Sequence, residues 1–255
     1  MPEIVVCYKW VLDEVYIKAN ADGSLDVSQA VYKISDYDRN AIEAANRAAL
    51  ALEGQSVALT FGTADARPSI KDALSRGPEK SYWVNASEAA GADGAATANA
   101  LAGAISKMEE VRLVICAEGA SDTFARQTAP RLAAVLDMPA ITSVCSMEFS
   151  GTTLTAVRKL SDCLETVEVE LPCVVAVLPE INPAPLPGLK AVLAAGKKPV
   201  TEWAATDIDA GLIPKTRKEG LRGYVMSRKN VVIKAGSAEE KVAELVAYLR
   251  KEGLV

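Results

Sequence analysis

The chain has 255 residues, half of them hydrophobic and 24 % charged, with a net charge of -5. That supplies apolar residues for a sizeable core, and the acidic balance argues against a nucleic-acid partner, because such domains carry a basic excess. No apolar run approaches the roughly 20 residues of a membrane helix, and no signal peptide precedes EIVVCYKWVL, so the sequence predicts a cytoplasmic protein without membrane insertion.

Residues 1–145 alternate short β-branched runs with helical patterns: IVVCYKWV, SDYDRNAIEAANRAALALEG, SVALTF, SIKDALSRG, SYWVNA, GADGAATANALAGAISKM, VRLVICA, RLAAVLDM and PAITSV. Successive βα units of this kind predict a parallel sheet with helices on both faces. In the first helix Ala41, Ile42, Ala45, Ala48, Ala49 and Leu52 recur at helical spacing, with Asp38 as N-cap and Gly54 as stop. Between Glu14 and Val27, ADGS supplies the turn of a β-hairpin. The stretch MEFSGTTLTAVRKLSDCLETVEVELPCVVAV alternates apolar and polar residues about SGT and SDC turns, which predicts an antiparallel sheet edge. A core strand at 173–178 follows. The prolines of EINPAPLPGLKAVLAAGKKPV then forbid regular structure before a short amphipathic helix. Residues 203–236 lack a sustained period, carry six basic residues between Lys215 and Lys229, and read as an extended arm. AEEKVAELVAYLRKEG closes the chain as a helix, acids early and bases late. The predicted division is therefore 1–202, an α/β domain including a loop at 182–199, and 203–255, the arm and closing helix.

The chain contains no histidine, which removes the usual general base, the usual zinc ligand and every Ser-His or Cys-His nucleophile. Cys7, Cys116, Cys145, Cys163 and Cys173 sit singly among apolar residues, as core thiols do. The stretch CAEGASDTFARQT, residues 116–128, follows the buried strand VRLVICA and emerges where open α/β sheets place ligands. Pro130 belongs in the first turn of the next helix. Unpaired N–H groups near Arg126 to Ala129, with Ser121, Thr123, Thr128 and the Arg126 guanidinium, would then form a phosphate cradle. An ordinary capped turn is the alternative. Ser35, Asp36 and Asp38 could bond a ribose or adenine if they converge with 117–128. GADGAATANALA lacks the dinucleotide fingerprint, and Asp93 reads as an N-cap. Around the Pro-rich loop, Leu186, Leu189, Val192 and Leu193 form either a packed satellite helix or an exposed partner anchor.

In the order and spacing of ISDYDRNAIEAA, LTFG, GADGAATANALA, CAEGASDTFARQTAPRLAAVLDMPAIT, VRKLSDCLETVEVELPCVVAV, EINPAPLPGLKAVLAAGKKPV and YVMSRKNVVI, the whole chain resembles the beta subunit of electron transfer flavoproteins. ISDYDRNAIEAA and KDALSRGP look closer to the Fix-type branch. The resemblance implies an adenine-nucleotide-hydrolase-like sheet in a heterodimer whose alpha subunit carries the redox-active FAD, while this chain holds AMP or a second FAD. It implies nucleotide contacts from Cys7 through its backbone, from Ser35, Asp36, Tyr37 and Asp38, and from Phe61. The remaining implied contacts are Ala117, Glu118, Gly119, Ala120, Ser121, Asp122, Thr123, Phe124, Ala125, Arg126, Gln127 and Thr128. No residue acts as an acid-base catalyst in this picture. Leu189 matches the leucine that the family inserts into acyl-CoA dehydrogenases, the implied donors; an acceptor flavoprotein or quinone reductase takes the electrons. Two departures stand out: the hairpin turn Ser161, Asp162, Cys163, and Arg126 in place of the family's common Asn, a guanidinium suited to a diphosphate and hence leaning toward FAD. The competing readings are a stand-alone adenine-nucleotide sensor resembling universal stress proteins and a nicotinamide-dependent dehydrogenase, the latter disfavoured by the missing fingerprint.

Overall fold

The computed structural model describes residues 1–208, 210–224, 228–234 and 236–255. They divide into a main unit, Met1–Ile17 with Val27–Gly220, and a smaller one, Lys18–Asp26 with Leu221–Val255. Parts of the predicted arm and of YVMSRKNVVI, at 209, 225–227 and 235, lie outside the described residues.

The main unit is built on one nine-stranded sheet. Its strands in chain order are β1 (Glu3–Cys7), β2 (Gln55–Gly62), β3 (Lys80–Asn85), β4 (Val111–Ala117) and β5 (Ala140–Ser150), followed by β6 (Thr153–Lys159), β7 (Leu164–Glu170), β8 (Cys173–Val177) and β9 (Val200–Ala204). The spatial order is β7-β6-β5-β8-β4-β1-β2-β3-β9. All neighbours from β5 to β9 run parallel; β6 and β7 add antiparallel at one edge, as the alternating pattern predicts. The helices are α1 (Asp36–Ala51), α2 (Arg67–Ser75), α3 (Gly94–Ile105), α4 (Thr128–Leu136) and α5 (Leu189–Ala195).

Because side chains alternate across a strand, β1 feeds both faces. Ile4 and Val6 enter one core with Ala41, Ile42, Ala45 and Ala48 of α1, while Val5 and Cys7 enter the other with Leu101 of α3 and Leu132 of α4. Helices therefore cover both faces, and the α/β class read from the sequence holds. Alanine dominates the buried side of α1, which lets that helix approach the sheet closely. α1 ends as Glu53 turns left-handed (φ 51°); Gly54 follows where a Cβ would come within 2.5 Å of the Pro2 carbonyl. A short ribbon, Trp10–Leu12 with Tyr32–Ile34, leads from β1 toward α1.

Three expectations change in detail. Ser35, not Asp38, precedes α1 as its N-cap residue; Asp38 sits inside the first turn and is buried. Within 203–236, residues 203–204 complete edge strand β9, whose five residues are too few to show a period, and Ile208 and Leu212 are buried in the core against α3 and α4. The hairpin predicted from Glu14 to Val27 pairs only Lys18–Ala19 with Leu25–Asp26, because Asp13 caps a 3-10 turn at Glu14–Tyr16.

In the smaller unit that hairpin turns at Gly23 (φ 82°), and Gly23 accepts a backbone bond from the Gly223 N–H. Its helix α6 (Ala238–Lys251) opens with a capping box in which the Ser237 hydroxyl accepts from the Glu240 N–H and the Glu240 carboxylate accepts from the Ser237 N–H.

Candidate functional site

After β1 the chain builds β2 and β3 on one side, then crosses to place β4 on the other side of β1. The carboxyl ends of β1 and β4 thus flank the topological switch point, where the crevice between diverging loops can take a ligand. Three segments meet there: 7–9 after β1, 35–38 at the start of α1, and 117–128 after β4.

Lys9 ties them together. Its N–H donates to Asp38 Oδ2 at 2.8 Å, its carbonyl accepts from the Ser35 N–H at 3.1 Å, and its ammonium pairs with the Asp122 carboxylate. Ser35 Oγ in turn accepts from the Ser121 N–H at 3.2 Å. That bond explains why Ser35 precedes α1 without capping it: its hydroxyl is turned to the β4 loop. Burial pushes the Asp38 carboxyl up to about 7; the Lys9 N–H and charge oppose the shift, and Asp122 adds to it. Cys7 is buried at the end of β1, where a hydrogen bond with Cys116 and burial hold its thiol well above the ordinary range, so its side chain stays neutral.

A second tie holds the far side of the β4 loop. Glu118 extends the ladder by donating its N–H to the Val177 carbonyl at 2.9 Å. Its buried carboxylate accepts from the Ser143 N–H at 2.7 Å and from the Ser143 hydroxyl at 3.4 Å. Ser143 is left-handed (φ 60°), and β5 carries an irregularity against β8 between Val175 and Val177, which turns that N–H out of the ladder. The same carboxylate meets Arg126 Nε at 3.2 Å. Arg126 (φ 57°) and Phe124 (φ 44°) are both left-handed, so strained backbone concentrates in this loop. The Phe124 ring packs on Tyr37 at 5.2 Å between centroids, with the Arg126 guanidinium 5.6 Å from its centre. Gly119 lies beneath it, where a Cβ would come within 2.7 Å of Phe124 Cδ2 and displace the ring.

Gln127 precedes α4 without a side-chain capping bond; its Oε1 accepts from Arg131 Nε at 3.1 Å. Asp122 Oδ1 accepts from the Thr123 N–H at 2.8 Å. Ser121 Oγ is buried and has no hydrogen-bond partner, an orphaned polar atom inside the loop.

A family model described as the electron transfer flavoprotein domain matches residues 24–208. The chain belongs to that family. Electron transfer flavoproteins are electron carriers rather than enzymes, and their family generally binds flavin or nucleotide. The match spans α1, the loop after β4 and Leu189, and stops before α6. An uncapped helix start and an orphaned hydroxyl at the switch point fit the polar end of a nucleotide. Among the described residues, no helix is long and apolar enough to cross a membrane.

Not every predicted site residue joins this electron transfer flavoprotein crevice. Asp36 is taken by cations of its own segment, Lys33 at 2.8 Å and Arg39 at 2.7 Å. Phe61 lies at the end of β2, half-buried against the cluster that contains Cys7 and Leu59. The charge that leaned the sequence reading toward a diphosphate is partnered: Arg126 faces Glu118. Ala117 is buried at the end of β4, Ala120 accepts the Phe124 N–H, Ala125 is exposed, and Thr128 opens α4. Leu189 stands apart at the start of α5, 77 % exposed, with Leu186 and Leu193 also exposed. Sequence reasoning missed Lys9 and Ser143. Lys9 carried one signal, as a charged residue directly after an apolar strand end; Ser143 carried none.

Proposed function

We propose that this chain is the beta subunit of a heterodimeric, Fix-type electron transfer flavoprotein. The nucleotide, AMP or a second FAD, occupies the switch-point crevice, and the alpha subunit carries the redox-active FAD. The observation that supports the reading most is the tying of 7–9, 35–38 and 117–128 into one crevice with an orphaned Ser121 hydroxyl. Of these, Cys7, 35–38 and 117–128 are contacts that the family resemblance implies, Phe61 being the other.

In this reading Ser121 and the amides before α4 hold phosphate oxygens, and Tyr37 with Phe124 shields the loop from water. Ser35 and Lys9 fix the distance between the two βα turns. When bound, the flavins supply the electron-accepting chemistry; the protein sets their spacing. Electrons pass from a dehydrogenase of the acyl-CoA type, docked at Leu189, to an acceptor flavoprotein or quinone reductase. The segment 203–255 packs on the alpha subunit, consistent with α6 burying none of its residues while carrying Val242, Leu245 and Tyr248. The setting is the cytoplasm.

The test is the flavin and adenine content of the co-expressed, gently purified heterodimer. Two FAD, or one FAD with one AMP, is expected per complex. A complex with no bound flavin, reducible by no donor, would overturn the reading.

A further inference from the structure

Trp83 of β3 is only 1 % exposed, packed with Ala66, Ile70 and Leu74 of the α2 region and Ala195 of α5. Its indole N–H is buried and has no hydrogen-bond partner. An unused buried donor is unfavourable unless something supplies an acceptor.

Trp83 also lines a cleft of about 210 Å³ whose apolar walls include Ile70, Leu74 and Val200. Arg67, Lys71 and Lys198 contribute its charge, with Glu202 as the acidic member. Lys198 is committed elsewhere, donating to the carbonyls of Gly77 at 2.9 Å and Pro78 at 2.7 Å, and Glu202 accepts from Asn85 at 2.7 Å. Arg67 and Lys71 are one helical turn apart, exposed, and make no ion pair among the described residues. An adjoining hollow of about 450 Å³ shares Lys198 and reaches Leu193 and Lys197. Leu193, which lines that hollow, belongs to α5, the helix that Leu189 opens. On a chain of net charge -5, this face is locally basic.

We propose that this face receives a protein partner bearing an acidic side chain. Its apolar surface covers Leu186, Leu189 and Leu193, while one Asp or Glu carboxylate enters the cleft between Arg67 and Lys71, beside the Trp83 ring. The proposal rests on the reading of Leu189 as a partner anchor and adds what that partner must carry. Leucines at the centre and free cations at the rim follow the anatomy of protein interfaces, and the rim charges steer association.

Two measurements on the heterodimer test it. In the first, ¹⁵N-tryptophan-labelled complex is titrated with acetyl-Leu-Glu-Glu-Leu-amide and with its Gln counterpart, the Trp83 indole resonance being identified by Trp83→Phe. A saturable shift with the Glu peptide, absent with the Gln peptide and in Arg67→Glu/Lys71→Glu, is expected. No shift, or equal shifts with both peptides, overturns the proposal. In the second, stopped-flow reduction by a purified acyl-CoA dehydrogenase is followed against salt. Arg67→Glu/Lys71→Glu should slow the low-salt rate about tenfold and flatten its salt dependence. Leu189→Ala should slow it at every salt concentration. If only Leu189→Ala slows reduction, the acidic-partner inference fails and the anchor stands; if neither variant does, the anchor reading fails with it.

Discussion

Every residue of β1 is buried, whereas none of α6 is, although both carry apolar side chains at the spacing their backbone requires. β1 owes its place to neighbours: β2 and β4 flank it, and helices close both of its faces. α6 owes its form to local chemistry, a capping box at Ser237 and Glu240, acids in the first turn and bases in the last. The sheet end is self-sufficient, and the C-terminal helix is a formed surface. Function divides the same way in the proposal, nucleotide on the first and partner subunit on the second.

The sharpest way to break that contrast is to remove one leucine from each region. Leu113→Ala, at a fully buried position of β4, should cost about 2–5 kcal/mol of stability in urea unfolding. Leu245→Ala, on exposed α6, should cost about 0.5 kcal/mol or less and act instead on association with the alpha subunit. Equal losses in the isolated chain would erase the distinction.

Asp38 probes the sheet end through pH. Its folded-state value, about 7, lies above its ordinary one, 3.8, so the folded chain holds a proton that the unfolded chain releases. The stabilisation is complete below about pH 4 and is lost as pH rises toward 7 and beyond. Each pH unit across that window is worth about 1.4 kcal/mol, so wild type should weaken by a few kcal/mol between pH 4 and 8. Asp38→Asn keeps an acceptor for the Lys9 N–H and should flatten the profile. Parallel profiles for the two proteins would remove Asp38 as the cause.

A smaller effect belongs to the Glu118 tie. Replacing Glu118 with Ala leaves the Ser143 N–H and Arg126 without their acceptor, at about 1.5–3 kcal/mol for a buried charged bond. Arg126→Ala removes a half-exposed partner and should cost about 1 kcal/mol or less. Faster hydrogen exchange at Ser143 in the Glu118 variant, and not in the Arg126 variant, would place the tie on the Ser143 side.

These ties mark where sequence reading stops. The order of βα units, the antiparallel edge, the Asp93 cap and the loop after VRLVICA were legible because each rests on local period or turn chemistry. Lys9 with Asp122, and Glu118 with Ser143, are 113 and 25 residues apart; no local pattern encodes such meetings. Asp38 looked like a cap because caps and buried first-turn carboxylates share residue types. Ser35 was legible as a polar residue at the right place, but its use by the Ser121 N–H depends on β1 and β4 being neighbours. Arg126 seemed free for phosphate because its partner Glu118 reads locally as one more polar residue of the turn.

In the chain, the last stretch of the main unit runs up to Gly220, and Asp93 holds it. One carboxylate oxygen caps α3 by accepting from the Ala95 and Ala96 N–H groups, and the other accepts from Lys215 at 2.6 Å and Thr216 at 2.8 Å. Those bonds, the one from Ala96 foremost, draw the carboxyl down to about 2. The hold is therefore present above about pH 4 and lost only as pH falls toward 2. Asp93→Ala should leave the sheet folded while freeing 215–217, so trypsin should cut at Lys215 and Arg217 several times faster than in wild type at neutral pH. The global urea midpoint should move little. Unchanged cleavage would mean that Ile208 and Leu212, buried against the sheet, anchor the segment unaided, and the boundary between self-sufficient fold and presented surface would then fall after Leu212 without help from Asp93.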